Sequence, residues 1–243
     1  MIRVTVWTEF DKTDIPAPVA AAYPDGMDGC LGSILGGKDF KVTLANLFDA
    51  DCGLSEKLLN DTDVLVYWAH SRHGAVPDDA VARVKNEVNK GMGAIFLHSA
   101  HHSKAFKALT GASGDLVWRE IGEHERLWTA TPAHPIAKGV EQGFVIPHEE
   151  MYGEPFDIPN PDCTVFLGWY AGGEVFRSGV TFTRGCGKIF YFQPGHETFP
   201  VYYQPEIRTI LKNAVLWAAP SYRRVQLGCP NIKTSPEGIE GKL

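Results

Sequence analysis

Four short runs stand out in the first hundred residues: Ile2 to Trp7, Phe40 to Leu47, Val64 to Ala69 and Ala94 to Leu97. Each is rich in β-branched or aromatic residues and nearly continuous in apolar character, the pattern of strands covered on both faces. Between them lie helical patterns, of which "VPDDAVARVKNEVNKG" is the clearest. Pro77 opens it, Asp78 and Asp79 suit the positive end of the helix dipole, Val81, Val84 and Val88 form one apolar stripe, and Gly91 closes it. Strands alternating with helices predict an α/β fold with a doubly wound parallel sheet.

From Asp115 to Phe192 the pattern changes. The segments "DLVWRE", "RLWTATP", "TVFLGWY" and "EVFRSGVTFTRGCGKIFYF" predict antiparallel strands and hairpins, with Gly185 and Gly187 marking one turn. A last helix is expected over Pro205 to Ala218, carrying Ile207, Ile210, Leu211 and Ala214 on one face and stopping before Pro220. The polar tail from 220 to 243 lacks periodicity and is expected to wrap a surface or a neighbouring subunit, or to be partly disordered.

Composition narrows the function classes. The 243 residues are 44% apolar, enough for one large core and therefore for a single domain. A formal charge of -6 without Lys/Arg runs argues against nucleic acid as a partner. The amino terminus enters "IRVTVW" directly with no signal-peptide pattern, and no stretch approaches the roughly 20 apolar residues of a membrane helix. The five scattered cysteines include no CxxC pair, which suggests reduced thiols in a cytoplasm. "GSILGGKD" lacks the Ser/Thr that ends a phosphate-binding P-loop and leads into a strand where the motif needs a helix, and no GxGxxG, GxSxG or HExxH is present.

In a doubly wound sheet, ligands bind beyond the carboxyl ends of the strands. Just past these ends lie Glu9 and Asp11, then His70 and His73, then His98, Ser99, His101 and His102, and last Gln193, His196 and Glu197. Six of the nine histidines thus fall at one predicted sheet edge. Imidazoles from separate strand ends can converge on one divalent metal such as Zn or Mn, or divide acid and base work without one. Glu149, Glu150 and Glu197 are the carboxylates placed to assist. Taken singly, His102, His124, His134 and His148 read as solvated or hydrogen-bonded loop side chains.

At "FLHSA", "HEEMYGEPFDIP", "GGEVFRSG" and "GKIFYFQPGHETFP" the chain resembles the trehalose-utilisation (ThuA-like) family, over nearly its whole length up to Ala219. The resemblance implies a flavodoxin-like, mostly parallel sheet with an antiparallel hairpin extension, as in class I glutamine amidotransferases, in residues 1–219. It places His98 where those enzymes carry a nucleophilic Cys on a strand-to-helix elbow, and His196 near their triad His. Imidazole there cannot form the glutaminase thioester, so ammonia release from glutamine is not expected. Ser99 lacks the GxSxG setting of an elbow nucleophile.

The resemblance implies trehalose-like or keto-disaccharide substrates, for which Trp7, Trp68, Trp118, Trp128, Trp169 and Tyr152 offer stacking faces. The resulting expectation is a cytoplasmic, metal-assisted hydrolase or isomerase with a small sugar as partner, no membrane partner, and the tail hinting at a homo-oligomer. Its metal ligands would be His70, His98, His101 and His196. His73, Glu150 and Glu197 would supply acid/base functions, and Glu9, Arg119 and Tyr152 would contact substrate. The alternatives are a non-catalytic sugar-binding or regulatory module on the same scaffold, and a metal-free His/Glu acid–base enzyme.

Overall fold

A computed structural model describes residues 1–11, 13, 15–229, 231 and 232. Nine strands form one sheet: β1 (Ile2–Thr8), β2 (Phe40–Asn46), β3 (Val64–Trp68), β4 (Gly93–Leu97), β5 (Val117–Thr129), β6 (Phe144–Gly153), β7 (Cys163–Tyr170), β8 (Val175–Arg184) and β9 (Gly187–Phe192). Their order is β2-β1-β3-β4-β9-β8-β7-β5-β6. Ladders are parallel from β2 through β9 and antiparallel from β9 to β6.

The two-sided burial predicted for the parallel strands holds at the centre, where every residue of β3 and β4 is buried. Alternation then splits them between two cores. Val64, Val66, Trp68, Ile95 and Leu97 pack against α2 (Gly26–Ile34) and α6 (Pro205–Ala218). Leu65, Tyr67, Ala94 and Phe96 pack against α4 (Asp78–Lys90) and α5 (Lys104–Thr110) on the other face. The edge strand β2 departs from this pattern, with Lys41, Thr43 and Leu44 not covered.

Two expectations about the second half are corrected. "DLVWRE" and "RLWTATP" belong to one bulged strand, β5, because the ladder with β6 resumes after an irregularity between Arg119 and Glu123. "HEEMYG" is no loop; it forms the end of β6. Its Glu149 and Glu150 interrupted the apolar pattern by which a strand is recognised, and both are buried for reasons of the site. Part of the tail is seated: the Arg224 amide donates to the Lys90 carbonyl, and the Arg223 guanidinium binds Glu87 and the Thr62 carbonyl. Residues 230 and 233–243 of the predicted tail lie outside the described residues.

Candidate functional site

The chain leaves β4 through a sharp turn. His98 takes φ 54°, a left-handed conformation that costs a non-glycine residue on the order of 1 kcal/mol or more. The turn His98–His102 then feeds α5, whose first turn is capped by the Ser103 hydroxyl. This backbone projects the His98 ring, fully buried, beyond the carboxyl end of the sheet. The Tyr152 ring stacks against it, with centroids 5.4 Å apart, and the Tyr152 hydroxyl shares a 2.5 Å hydrogen bond with Ser99.

His70, past β3, and His196, past β9, meet His98 there. Ring centroids lie 5.5 Å apart for His70 and His98, 5.0 Å for His70 and His196, and 5.2 Å for His98 and His196. Glu150 completes the group. One donor atom from each of the four lies within 4.8 Å of all the others. Glu150 therefore stands where the sequence suggested His101. The His101 Nδ1 instead bonds the Gly114 carbonyl at 2.7 Å, and its ring is buried beside Tyr152, Phe156 and Tyr191.

Supporting residues hold these rings. The His98 Nδ1 contacts the Gln193 carbonyl at 3.2 Å, a bond that needs the proton on Nδ1, so in the neutral ring it is Nε2 that offers a lone pair, 3.2 Å from Glu150 Oε2. His70 Nδ1 bonds Glu197 Oε1 at 2.5 Å, leaving its Nε2 free. Glu149 faces away from its neighbour, taking amide hydrogens from Gly195 (2.7 Å), His196 (3.2 Å) and Glu150 (2.9 Å), and so fixes the loop that carries His196. The Trp68 indole holds that loop as well, donating to the Gly195 carbonyl at 3.0 Å.

Electrostatics follow from this crowding. Burial opposes charge on His70, yet the Glu197 hydrogen bond and the nearby carboxylates raise its pKa overall. Burial would lift Glu197, but His70 and the other imidazoles pull it down to about 2. Glu150 is lowered too, desolvation being outweighed by His98, His196 and His70. Burial, reinforced by His98, pushes His196 down to about 4, and it is a neutral imidazole near pH 7.

The residues present fit a divalent cation. His98 Nε2, Glu150 Oε2 and His196 Nε2 are all buried without a hydrogen-bond partner, an expensive state for three convergent polar atoms. Donors about 2.0–2.2 Å from one tetrahedral ion stand roughly 3.3–3.6 Å apart, so a group spread over as much as 4.8 Å would draw in by about 1 Å at its widest pair on binding one. Three imidazoles and a carboxylate suit zinc or manganese. The Glu197–His70 bond is the outer-shell arrangement that orients a ligating imidazole.

A cleft of about 210 Å³ opens onto this group, and Ser99, Tyr152, Trp118 and Glu120 are among its walls. Three residues assigned there from the sequence are placed otherwise. Glu9 is buried and bonds the Ser71 and Arg72 amides, both at 2.8 Å, so it positions the His70 loop and does not face substrate. Arg119 points to the opposite face of β5, where it pairs with Glu123 and Glu174, each at 2.7 Å. His73 stands outside the four-residue group, its ring 5.9 Å from that of His102, and desolvation takes its pKa to about 4. Asp11 caps its own turn through Thr13.

Of the aromatic residues, Trp7 and Trp68 are core, whereas Trp118 lines the cleft with Tyr152. Glu120, with an oxygen 3.5 Å from His196 Nε2, is a neighbour that sequence reasoning missed. Strand alternation with Trp118 was its only signal.

The nine-stranded α/β sheet, with a strained turn at His98 after β4, is of the glutamine amidotransferase-like class of folds. The chain belongs to the ThuA family (trehalose utilisation), whose profile matches residues 3–218. Among solved structures, a ThuA-like protein of Parabacteroides merdae is 17% identical, with TM-score 0.65 over 93% of this chain and 92% of that one. A cytoplasmic protein of Salmonella typhimurium is 14% identical, with TM-score 0.58 over 91% and 100%. A glutamine amidotransferase of Thermotoga maritima is 12% identical, with TM-score 0.55 over 88% and 96%. At these identities the likeness is one of fold. No curated protein gives a significant match. Among the described residues no helix is long and apolar enough to cross a membrane.

Proposed function

We propose that this protein is a metal-assisted hydrolase or isomerase of trehalose-like or keto-disaccharide sugars. The observation carrying this reading is the convergence of His98 Nε2, Glu150 Oε2 and His196 Nε2, buried and unpartnered, beside His70. These four residues would hold zinc or manganese, which when bound supplies Lewis acidity toward a carbonyl or hydroxyl oxygen. The chain's own groups do the rest. Glu197 and Gln193 orient His70 and His98, and Tyr152 packs the elbow from the cleft side. Glu197 also keeps a proton on His70 Nδ1, so that Nε2 faces the group as a base or ligand. A small sugar as partner, self-association and a cytoplasmic setting are parts of the same proposal.

A second reading, a metal-free His/Glu acid–base enzyme, draws on one contact. The Thr198 amide lies 3.2 Å from His196 Nδ1, which as acceptor would put the ring proton on Nε2, 3.5 Å from Glu120. The Thr198 hydroxyl, 2.9 Å from the same nitrogen, can accept in the opposite tautomer. Elemental analysis of protein purified without a histidine tag decides between the two. The first reading expects about one zinc or manganese per chain, falling below about a tenth in His98→Ala and in His196→Ala. Metal-free protein that transforms an oxidised disaccharide would establish the second. Ammonia release from glutamine would sink both.

A further inference from the structure

The wall of the cleft opposite the histidines is built by an irregular stretch of β5. Between the pairs Arg119↔Met151 and Glu123↔Glu149, β5 contributes Glu120, Ile121 and Gly122 while β6 contributes only Glu150. The surplus residues bulge out of the ladder, and bulges of this kind re-aim side chains beside sites. Gly122 permits the turn with φ 70°, and a Cβ there would meet the Phe199 ring at 3.2 Å. Trp118 pairs directly with Tyr152, so the two share a face, and Trp118 and Glu120 both line the cleft.

Trp118 is 64% exposed, and among the described residues no aromatic ring or cation packs on its indole. An uncovered indole at the mouth of a polar cleft offers a flat apolar face with acceptors around it: Glu120 and Glu150 on the two strands, and Ser99 across from them. A pyranose ring has the complementary form, with apolar C–H faces and a rim of hydroxyl donors. Charge narrows the class further. Among the described residues, no Lys or Arg lines this cleft, whereas Glu120 and Glu150 do, with Glu197 behind them. Phosphate and carboxylate groups are ordinarily held by guanidinium, ammonium or amide-rich turns; the Trp118 wall, away from the four residues that would hold the metal, offers an anion none of these and sets the Glu120 carboxylate against it.

We infer that the cleft takes an uncharged pyranoside, stacked on Trp118 with its hydroxyls bonded to Glu120, and excludes sugar phosphates and sugar acids. This rests on the sugar reading proposed above and adds to it a recognition wall and a charge rule. Calorimetric titration of the full-length, zinc-loaded chain with trehalose and with trehalose 6-phosphate tests it. Trehalose should bind at least tenfold more tightly than its phosphate. Trp118→Ala should weaken trehalose binding about tenfold or more and Trp118→Phe by less than about threefold, with zinc content unchanged in both. Because Trp118 is mostly solvent-exposed, both variants should melt within about a degree of the parent. Equal trehalose affinity in Trp118→Ala, or tighter binding of the phosphate, would overturn the wall and the charge rule while leaving the sugar reading standing. A parent protein that binds neither would remove the sugar reading itself and the wall with it.

Discussion

His70 and Glu197 meet at 2.5 Å between Nδ1 and Oε1, with only 28% and 11% of their side chains exposed. The partners are shifted in opposite directions, as a true ion pair requires: His70 is raised and Glu197 lowered to about 2. A carboxylate depressed in the folded state stabilises above its unfolded value of about 4.3 and loses that contribution as pH falls through about 2. A raised histidine stabilises below about 6.5 and loses its contribution as pH climbs through the folded value. In metal-free protein the pair therefore contributes most between about pH 4.5 and 6.5. Glu197→Gln keeps the shape and removes the charge. It should cost on the order of 1–3 kcal/mol near pH 5.5 and progressively less toward pH 9, as read by thermal unfolding in chelator. A penalty that stays flat across this range would mean the two residues are not paired as charges.

Elements explain what a residue-by-residue inspection could not. The strand-end rule located His70, His98 and His196 because parallel strands of similar length end at one edge, and ends are marked by the loss of apolar character. It failed for Glu150. A buried acid inside β6 looks like a loop residue, since the burial is justified only by histidines from three other strands. Glu9 and Arg119 were expected to contact substrate, yet backbone amides claim the one and Glu123 and Glu174 the other. The β5 bulge is silent in sequence because register exists only between strands. Gly122 is its one local mark, and replacing it tests the element as a unit. Gly122→Ala places a side chain at φ 70° against Phe199 and should destabilise by about 1–2 kcal/mol, or roughly 3–6 °C in Tm. It should also weaken trehalose binding several-fold with zinc content intact, because the four-residue group takes no ligand from β5. Zinc loss in this variant would show that the bulge supports the histidines as well as the wall.

Across the whole molecule the sheet separates two jobs. The His/Glu group lies beyond the carboxyl ends of β3, β4 and β9, whereas the tail is seated where β1, β3 and β4 begin. There Arg223 donates to the Thr62 carbonyl and, at 3.2 Å, to that of Asn60, and it pairs with Glu87, which is only 5% exposed. The Tyr222 carbonyl sits so close to Gly91 that a Cβ there would approach it to 2.6 Å. Five-residue strands at about 3.3 Å per residue put more than about 15 Å of packed sheet between the two ends. Ending the chain after Ala219 would leave Glu87 buried with Lys90 as its remaining cation, 2.7 Å away, and would strip a donor from the 59–62 turn carbonyls. Loss of one partner from a buried charge pair costs about 3–5 kcal/mol, somewhat less here because Lys90 stays, and for a chain of this size each kcal/mol is roughly 2–4 °C of Tm. The truncated protein should therefore melt about 5–12 °C lower while binding zinc at the same stoichiometry and trehalose within about twofold of the parent. Arg223→Ala alone should reproduce most of the drop, since the guanidinium makes most of these contacts. A truncated chain that lost zinc at a temperature where it remained folded would instead require coupling through the strands, and the separation of the two ends would have to be abandoned.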